Sequence, residues 1–191
     1  LLRGVLPEYS FAEMRIALDG LLARDMIVPV PGDNYTFRHI LILDVTYGTL
    51  SRAERIRLHK AIAARLVEEA SEHLDEQVEI LAYHYQKAVQ LSRMSAVPSK
   101  LEVEIERAIK FQVRAGELAS HAGAFAEAQS YFQNAIALAS DAEKIELYEK
   151  WGVSLGWGWS EQVKEAYQKA LEIWRKGDKA QPLVAARLIR K

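Results

Sequence analysis

The chain has 191 residues, of which 50% are hydrophobic and 27% are charged, so it can bury one or two ordinary cores. Its 25 Lys and Arg residues balance its 26 Asp and Glu residues, which argues against a global electrostatic field for nucleic acid or an anionic membrane. The absence of cysteine excludes disulfides and thiolate catalysis, and is compatible with the cytoplasmic location that we expect. No apolar run reaches the roughly 18 residues of a membrane span, so we expect no membrane partner.

A small helix-and-hairpin unit is predicted over residues 1–52. Ser10 is the expected N-cap of the first long helix, and Glu13, three residues later, is its expected capping-box partner. Apolar residues then follow at helical spacing, and the helix is predicted to end near Arg24.

The hairpin of this unit is predicted from two short runs of alternating residues. The first run ends at Val30 and the second starts at Tyr35, with four turn-forming residues at 31–34 between them. A 3.6-residue apolar period starts at Ile40 and predicts a helix with a wide apolar stripe. Helix, hairpin and helix in this order are the layout of a winged-helix unit, in which the hairpin is the wing.

Two long helices are predicted to form a connector over residues 53–95. The first covers residues 52–69, the second covers residues 76–91, and a break separates them. The stretch from 92 to 100 is the best linker candidate. The positions expected to face a core are Ile56, Leu58, His59, Ile62, Ala63, Leu66, Val78, Leu81, Ala82, Tyr85 and Val89.

A repeat is visible in the last part of the chain, over residues 96–191. Gly116, Gly123, Phe132 and Ala135 recur as Gly152, Gly158, Tyr167 and Ala170, at separations of 36, 35, 35 and 35 residues. A period near 34 residues of helix-turn-helix units is typical of tetratricopeptide repeats, in which small residues let two helices approach closely. The first unit departs from that pattern at Gln112 and Ser140, and a truncated third unit is predicted to start at Pro182.

Catalytic motifs are not visible in the sequence. None of the ten glycines is followed by Lys, which excludes a phosphate-binding P-loop within these residues. The five histidines form no H-E-x-x-H pair, and no G-x-S-x-G elbow is present. We therefore expect a non-enzymatic, mainly α-helical chain with no cofactor or metal of its own.

Arg38 and His39 are the strongest candidate binding residues. They stand at the predicted start of a helix, where the macrodipole disfavours positive charge by about 0.3–1 kcal/mol. A bound phosphate would reverse that cost, because helix N-termini and basic side chains both attract anions. The alternative is that the two side chains point to solvent or pair with Glu8, Asp25 or Asp44.

Two other groups of residues have a structural and a functional interpretation. Trp157 and Trp159 either pack in the core and turn of the second repeat or anchor a peptide or partner helix. A basic run forms either a solvated helix face, balanced by the acidic cluster that follows it, or a nucleic-acid contact of a winged helix with Arg15 and Arg24. The members of this run are Arg52, Arg55, Arg57, Lys60 and Arg65.

Three motifs together resemble the arm behind the ATPase core in signal-transduction ATPases with numerous domains. The closest likeness is to bacterial predicted ATPases joined to adenylate cyclase or transcription-regulator modules, and it covers nearly the whole chain. The motifs are Tyr35-x-Phe37-Arg38-His39-x-Leu41-x-x-Asp44-Val45-x-Tyr47-x-x-Leu50, Arg57-Leu58-His59, and Leu81-Ala82-Tyr83-His84-Tyr85.

The resemblance implies that this chain is a piece of a longer protein that binds ATP or ADP. In that family a winged helix follows the ATPase core, and a histidine at the start of the helix after the wing touches the nucleotide phosphate in the resting state. That histidine matches His39, although the eukaryotic pattern Met-His-Asp is replaced here by Arg38-His39-Ile40.

Two functions follow as expectations. The preferred function is a regulatory arm, in which helical repeats bind a protein or small effector and the winged helix restrains the upstream ATPase core in cis. The alternative is a DNA-binding transcription regulator with a repeat-built sensor or dimerisation arm.

Overall fold

The chain is mainly helical, with one two-stranded antiparallel sheet in the part that is described. The structure is a computed structural model and describes residues 1–32, 34–70, 74–95, 101–154 and 161–176. The first unit contains α1 (Leu2–Val5), α2 (Phe11–Ala23), β1 (Ile27–Val30), β2 (Asn34–Phe37) and α3 (Ile40–Thr49). The helices that follow are α4 (Arg52–Glu69), α5 (Val78–Arg93), α6 (Glu102–His121), α7 (Phe125–Leu138), α8 (Asp141–Ser154) and α9 (Glu161–Lys176).

The capping box predicted for α2 is confirmed. Ser10 Oγ accepts a hydrogen bond from the Glu13 backbone N–H, and the Glu13 carboxylate accepts one from the Ser10 backbone N–H. The same pair of bonds joins Ser51 and Glu54 at the start of α4, which explains why that helix starts at the predicted residue. Both caps satisfy backbone N–H groups that have no partner within their helix.

The hairpin loop is one residue shorter than predicted. The strands pair in a register that sets Val30 opposite Asn34, so three residues rather than four separate them. The Asn34 side-chain amide donates to the Pro31 carbonyl at 3.2 Å, and Gly32 adopts a left-handed φ of 82°. Asn34 is a turn former, which favours the loop, but its backbone belongs to the strand.

The apolar stripe predicted on α3 is not buried. Ile40, Leu41 and Val45 are 67%, 70% and 67% exposed, and α3 contains no buried residue. α2 also contains no buried residue, and Phe11 is 68% exposed. The helix predicted from this period is confirmed, whereas the apolar face that it marks is exposed, and the buried apolar residues of this unit are Val5 and Ile27.

Between α4 and α6 lies the first of two hydrophobic clusters. A short 3₁₀ turn at Leu74–Gln77 leads into α5, which starts two residues later than predicted. The apolar positions predicted on α5 are all buried, and the Tyr85 ring stacks on Phe111 of α6 with 5.4 Å between centroids. α5 thus forms the centre of this cluster.

The two helix pairs α6–α7 and α8–α9 share one close-packing arrangement. A Cβ at Gly116 would lie 2.8 Å from the Phe132 ring, and one at Gly152 would lie 2.8 Å from the Tyr167 ring. Gly123 turns the chain between α6 and α7 with a φ of 77°, which favours glycine. The recurrent pairs Gly116 with Phe132 and Gly152 with Tyr167 therefore meet in space, as their spacing predicts.

Both departures from the repeat pattern have a structural role. The Gln112 side chain is 1% exposed, and its amide donates to Gln86 Oε1 at 3.0 Å and to the Ala82 carbonyl at 3.3 Å. Ser140 precedes α8, where its backbone N–H donates to the Glu143 carboxylate at 2.8 Å. Gln112 thus joins α6 to α5, and Ser140 forms a helix start in place of proline.

No described helix is both long enough and apolar enough to cross a membrane. Several predictions concern residues outside the described ranges: most of the break at 71–75, most of the linker at 92–100, Trp157, the repeat residue Gly158, Trp159, and the third unit from Pro182.

Candidate functional site

A groove on the described chain is formed by α5, α6 and α8 together with the turn before α5. It has a volume of about 700 Å³, which falls in the range of ordinary ligand sites. Its apolar floor includes Val78, Val113 and Leu147, which are 1%, 7% and 5% exposed. Because these residues also belong to the hydrophobic clusters, the floor is fixed by the packing of the core.

One wall of the groove is fixed by an ion-pair network. The Arg114 guanidinium binds both carboxylate oxygens of Asp75, with 2.8 Å from Nε to Oδ1, and lies 3.5 Å from Glu117. Hydrogen bonding to Arg114 lowers the pKa of Asp75 below its usual value. The network joins the turn before α5 to α6, which are more than thirty residues apart in sequence.

Besides Glu143, which accepts hydrogen bonds from Ser140, four other charged side chains line the groove without an ion-pair partner among the described residues. α6 carries Glu106 and, four residues later, Lys110, while α8 carries Glu146 and, four residues later, Lys150. All four are exposed, so their charges are available to a ligand. An apolar floor under unpaired charges of both signs suits a peptide segment or an amphipathic small molecule.

The structure places Arg38 and His39 at the start of α3, as predicted, with both side chains exposed. The Arg38 guanidinium forms an ion pair with Asp25, which is one of the partners that the sequence offered. Asp25 lies in the turn after α2 with a left-handed φ of 60°. His39 is the N-cap residue of α3, but its side chain makes no capping hydrogen bond.

The basic run has partners throughout α4. Arg57 pairs with Glu8, Lys60 with Glu104, and Arg65 with Glu68 and Glu69. Arg52 donates to the Met94 carbonyl, and Arg55 donates to the Gly48 and Leu50 carbonyls. Within the described ranges, only Arg65 thus pairs with acidic residues that follow in sequence, and the other four cations bind other segments.

One cluster of titratable side chains was missed by sequence reasoning. Tyr47 Oη of α3 lies 3.0 Å from His59 Nε2 of α4, and His59 Nδ1 lies 2.8 Å from His84 Nδ1 of α5. His59 was predicted only as a core residue, and it is 5% exposed. His59 and His84 both stand in the quoted motifs, but their pairing depends on how α4 packs on α5, which no local pattern encodes.

Burial and neighbouring charge depress the basicity of both imidazoles. Burial is the larger cause and the charge of His59 the smaller one, and together they lower the pKa of His84 to about 4. The pKa of His59 is lowered mainly by burial and to a smaller extent by the charge of Lys87. Burial also raises the pKa of the Tyr47 hydroxyl. The three side chains are therefore neutral at pH 7.

In the described chain, no group of three or more His, Asp or Glu side chains is arranged to hold a metal ion. Comparisons with protein-family models, with curated proteins and with solved structures found no match to this chain.

Proposed function

We propose that this chain is a non-catalytic regulatory arm of a multidomain signalling ATPase, and that its groove binds a protein segment or small effector. The observation that carries the proposal is the groove itself, with its buried apolar floor and four unpaired charges. A rigid floor reduces the entropy lost on binding, and the charges select the orientation of the ligand.

The helical pairs are proposed to be tetratricopeptide-like units. The period near 35 residues supports this assignment, as does the recurrence of a glycine beneath an aromatic ring in both pairs. Stacking of such units creates an extended concave surface, and the groove between α6 and α8 has the position of such a surface. Further units would extend it.

Residues 1–52 are proposed to be a winged-helix unit that restrains an upstream nucleotide-binding core. The order of α2, the hairpin and α3 supports this assignment, together with the resemblance in the motif around His39. His39 is exposed at a helix N-terminus, and Arg38 is held beside it by Asp25. In the longer protein the pair would contact a phosphate of ADP or ATP.

The DNA-binding alternative receives less support from the geometry. On the proposed recognition helix, Arg15 lies 3.6 Å from Asp19, and Arg24 donates to the Gly20 carbonyl at 3.0 Å. The cations of α4 are also engaged within the chain. Phosphate binding would require these contacts to be exchanged.

Ligand selection on the purified chain tests the groove. Ligands are selected from a peptide display library and a small-molecule screen, and their affinities are measured by calorimetry. The double variant Lys110→Glu, Lys150→Glu should lower the affinity of selected ligands that carry negative charge by about tenfold, since attraction becomes repulsion at two positions. The matched control is Lys164→Glu, on α9 away from the groove. Equal affinities for all three proteins would contradict the proposal.

A further inference from the structure

The charged side chains that line the groove carry an excess of negative charge. Five are carboxylates and three are cations, which gives this site a net charge of −2. The whole chain has a formal net charge of −1 at pH 7, so the excess is local to the groove. The carboxylates are those of Asp75, Glu106, Glu117, Glu143 and Glu146.

Two of the three cations in the groove are already engaged within the protein. The Arg114 guanidinium binds both carboxylate oxygens of Asp75 and lies 3.5 Å from Glu117. Lys110 Nζ lies 5.8 Å from the centroid of the Phe111 ring, a distance at which cation–π attraction acts. An anionic ligand would therefore compete with Asp75 and Glu117 for the strongest donor of the groove.

Three of the carboxylates, in contrast, keep free acceptor oxygens. Glu106 and Glu146 are exposed and have no ion-pair partner among the described residues. Glu143 accepts both hydrogen bonds of Ser140 through Oε2, which leaves Oε1 free to accept within the described ranges. The same hydrogen bonds lower the pKa of Glu143, so its carboxylate stays ionised at neutral pH.

The three free carboxylates lie toward one end of the groove. On α6, Glu106 precedes Lys110 by four residues, and on α8, Glu143 and Glu146 both precede Lys150. The connections on either side of α7 have three and two residues, so the chain reverses twice and α6 and α8 start at the same end. That end is acidic, and on each helix a lysine follows Glu106 or Glu146 about 6 Å further along the axis.

The length of the groove and its floor suit a short peptide segment. Along α6 the lining extends from Glu106 to Glu117, which is a rise of about 16 Å. About five residues of extended peptide cover that length. The buried floor of Val78, Val113 and Leu147 would receive the apolar side chains of such a segment.

We propose that the groove selects a basic amphipathic peptide segment. Its arginine or lysine side chains would lie among Glu106, Glu143 and Glu146, and its apolar side chains would lie on the floor. Arginine suits this end well, because a guanidinium donates to carboxylates through two parallel N–H groups. The inference rests on the proposed function, since it assigns a class of ligand to the same groove.

Peptide display on the purified chain tests the charge preference. Selected peptides that shift the amide resonances of Val113 and Leu147 are groove ligands, and we expect them to carry net positive charge. Calorimetry should show that Glu106→Lys, Glu146→Lys lowers their affinity by about tenfold, whereas Lys110→Glu, Lys150→Glu raises it. The control Glu161→Lys, at an exposed position on α9, should leave the affinity unchanged.

Two results would overturn the inference and leave the proposed function standing. One is a set of groove peptides with net negative charge, and the other is an unchanged affinity in Glu106→Lys, Glu146→Lys. If no selected peptide shifts groove residues, the inference is also overturned, and the proposed function then depends on the small-molecule screen alone.

Salt provides a second test on the wild type if a double variant loses helix content. The affinity of the groove peptides should fall several-fold between about 0.05 M and about 0.5 M salt, because exposed charges are screened. An affinity that does not change with salt would contradict recognition by charge.

Discussion

At the scale of single residues, Arg38 and His39 differ in what holds them. Arg38 is oriented by Asp25, whereas His39 makes no capping hydrogen bond and remains exposed at the helix start. The sequence predicted where this pair lies and included Asp25 among its possible partners. It could not predict which partner Arg38 would take, because that choice depends on contacts between distant segments. Glu8, another possible partner, pairs instead with Arg57, which is 49 residues away.

The phosphate role of His39 is tested in a longer protein that includes the proposed upstream ATPase core. His39→Ala should weaken ADP binding by about tenfold and raise basal activity, because a charge-assisted hydrogen bond to phosphate is lost. Calorimetry with ADP and a turnover assay measure the two effects. His121→Ala serves as the control histidine variant. Unchanged ADP affinity together with unchanged basal activity would show that His39 has no switching role.

At the scale of helices, sequence patterns predicted that a helix exists, and where it ends, better than they predicted which of its residues are buried. α4 was predicted over the residues it occupies because Ser51 and Glu54 form a local signal, which needs no distant contact. The apolar period of α3 predicted its helix, but burial requires a partner surface, and none covers Ile40 or Leu41 in the described chain. The Gly116–Phe132 contact was predictable because the same spacing of a glycine and an aromatic residue recurs in the second helix pair.

The close approach of α6 and α7 is tested by Gly116→Ala. The added methyl group would lie 2.8 Å from the Phe132 ring, which is itself 0% exposed and has no room to move. Overpacking costs about 1–3 kcal/mol, whereas the gain in helix propensity is at most about 1 kcal/mol, so we expect a net loss of about 1 kcal/mol in unfolding free energy.

Gly48→Ala is the matched control for that substitution. Gly48 also lies within a helix, but a Cβ there meets nothing within 4 Å. Its free energy of unfolding should therefore stay the same or rise slightly. Urea denaturation compares the two variants with the wild type. If Gly116→Ala were as stable as Gly48→Ala, the two helices would not be in the close contact described.

At the scale of the whole molecule, the chain combines a lightly attached first unit with a well-packed helical array. The array contains both hydrophobic clusters and the groove, whereas α2 and α3 contain no buried residue. The groove could not be predicted from the sequence, because its floor unites Val78, Val113 and Leu147 from three separate helices. The mainly helical character of the chain was predictable from periodicity alone, since each helix signals itself locally.

The groove between α5, α6 and α8 is the proposed ligand-binding site of this chain. Its most direct test is an amide chemical-shift map of the isotope-labelled chain, recorded with and without a ligand selected on it. We predict shifts concentrated around Lys110, Val113, Leu147 and Lys150, with α2 and the outer surface of α9 unchanged. Shifts centred on α2, the hairpin or α9, with the groove residues unaffected, would contradict the account.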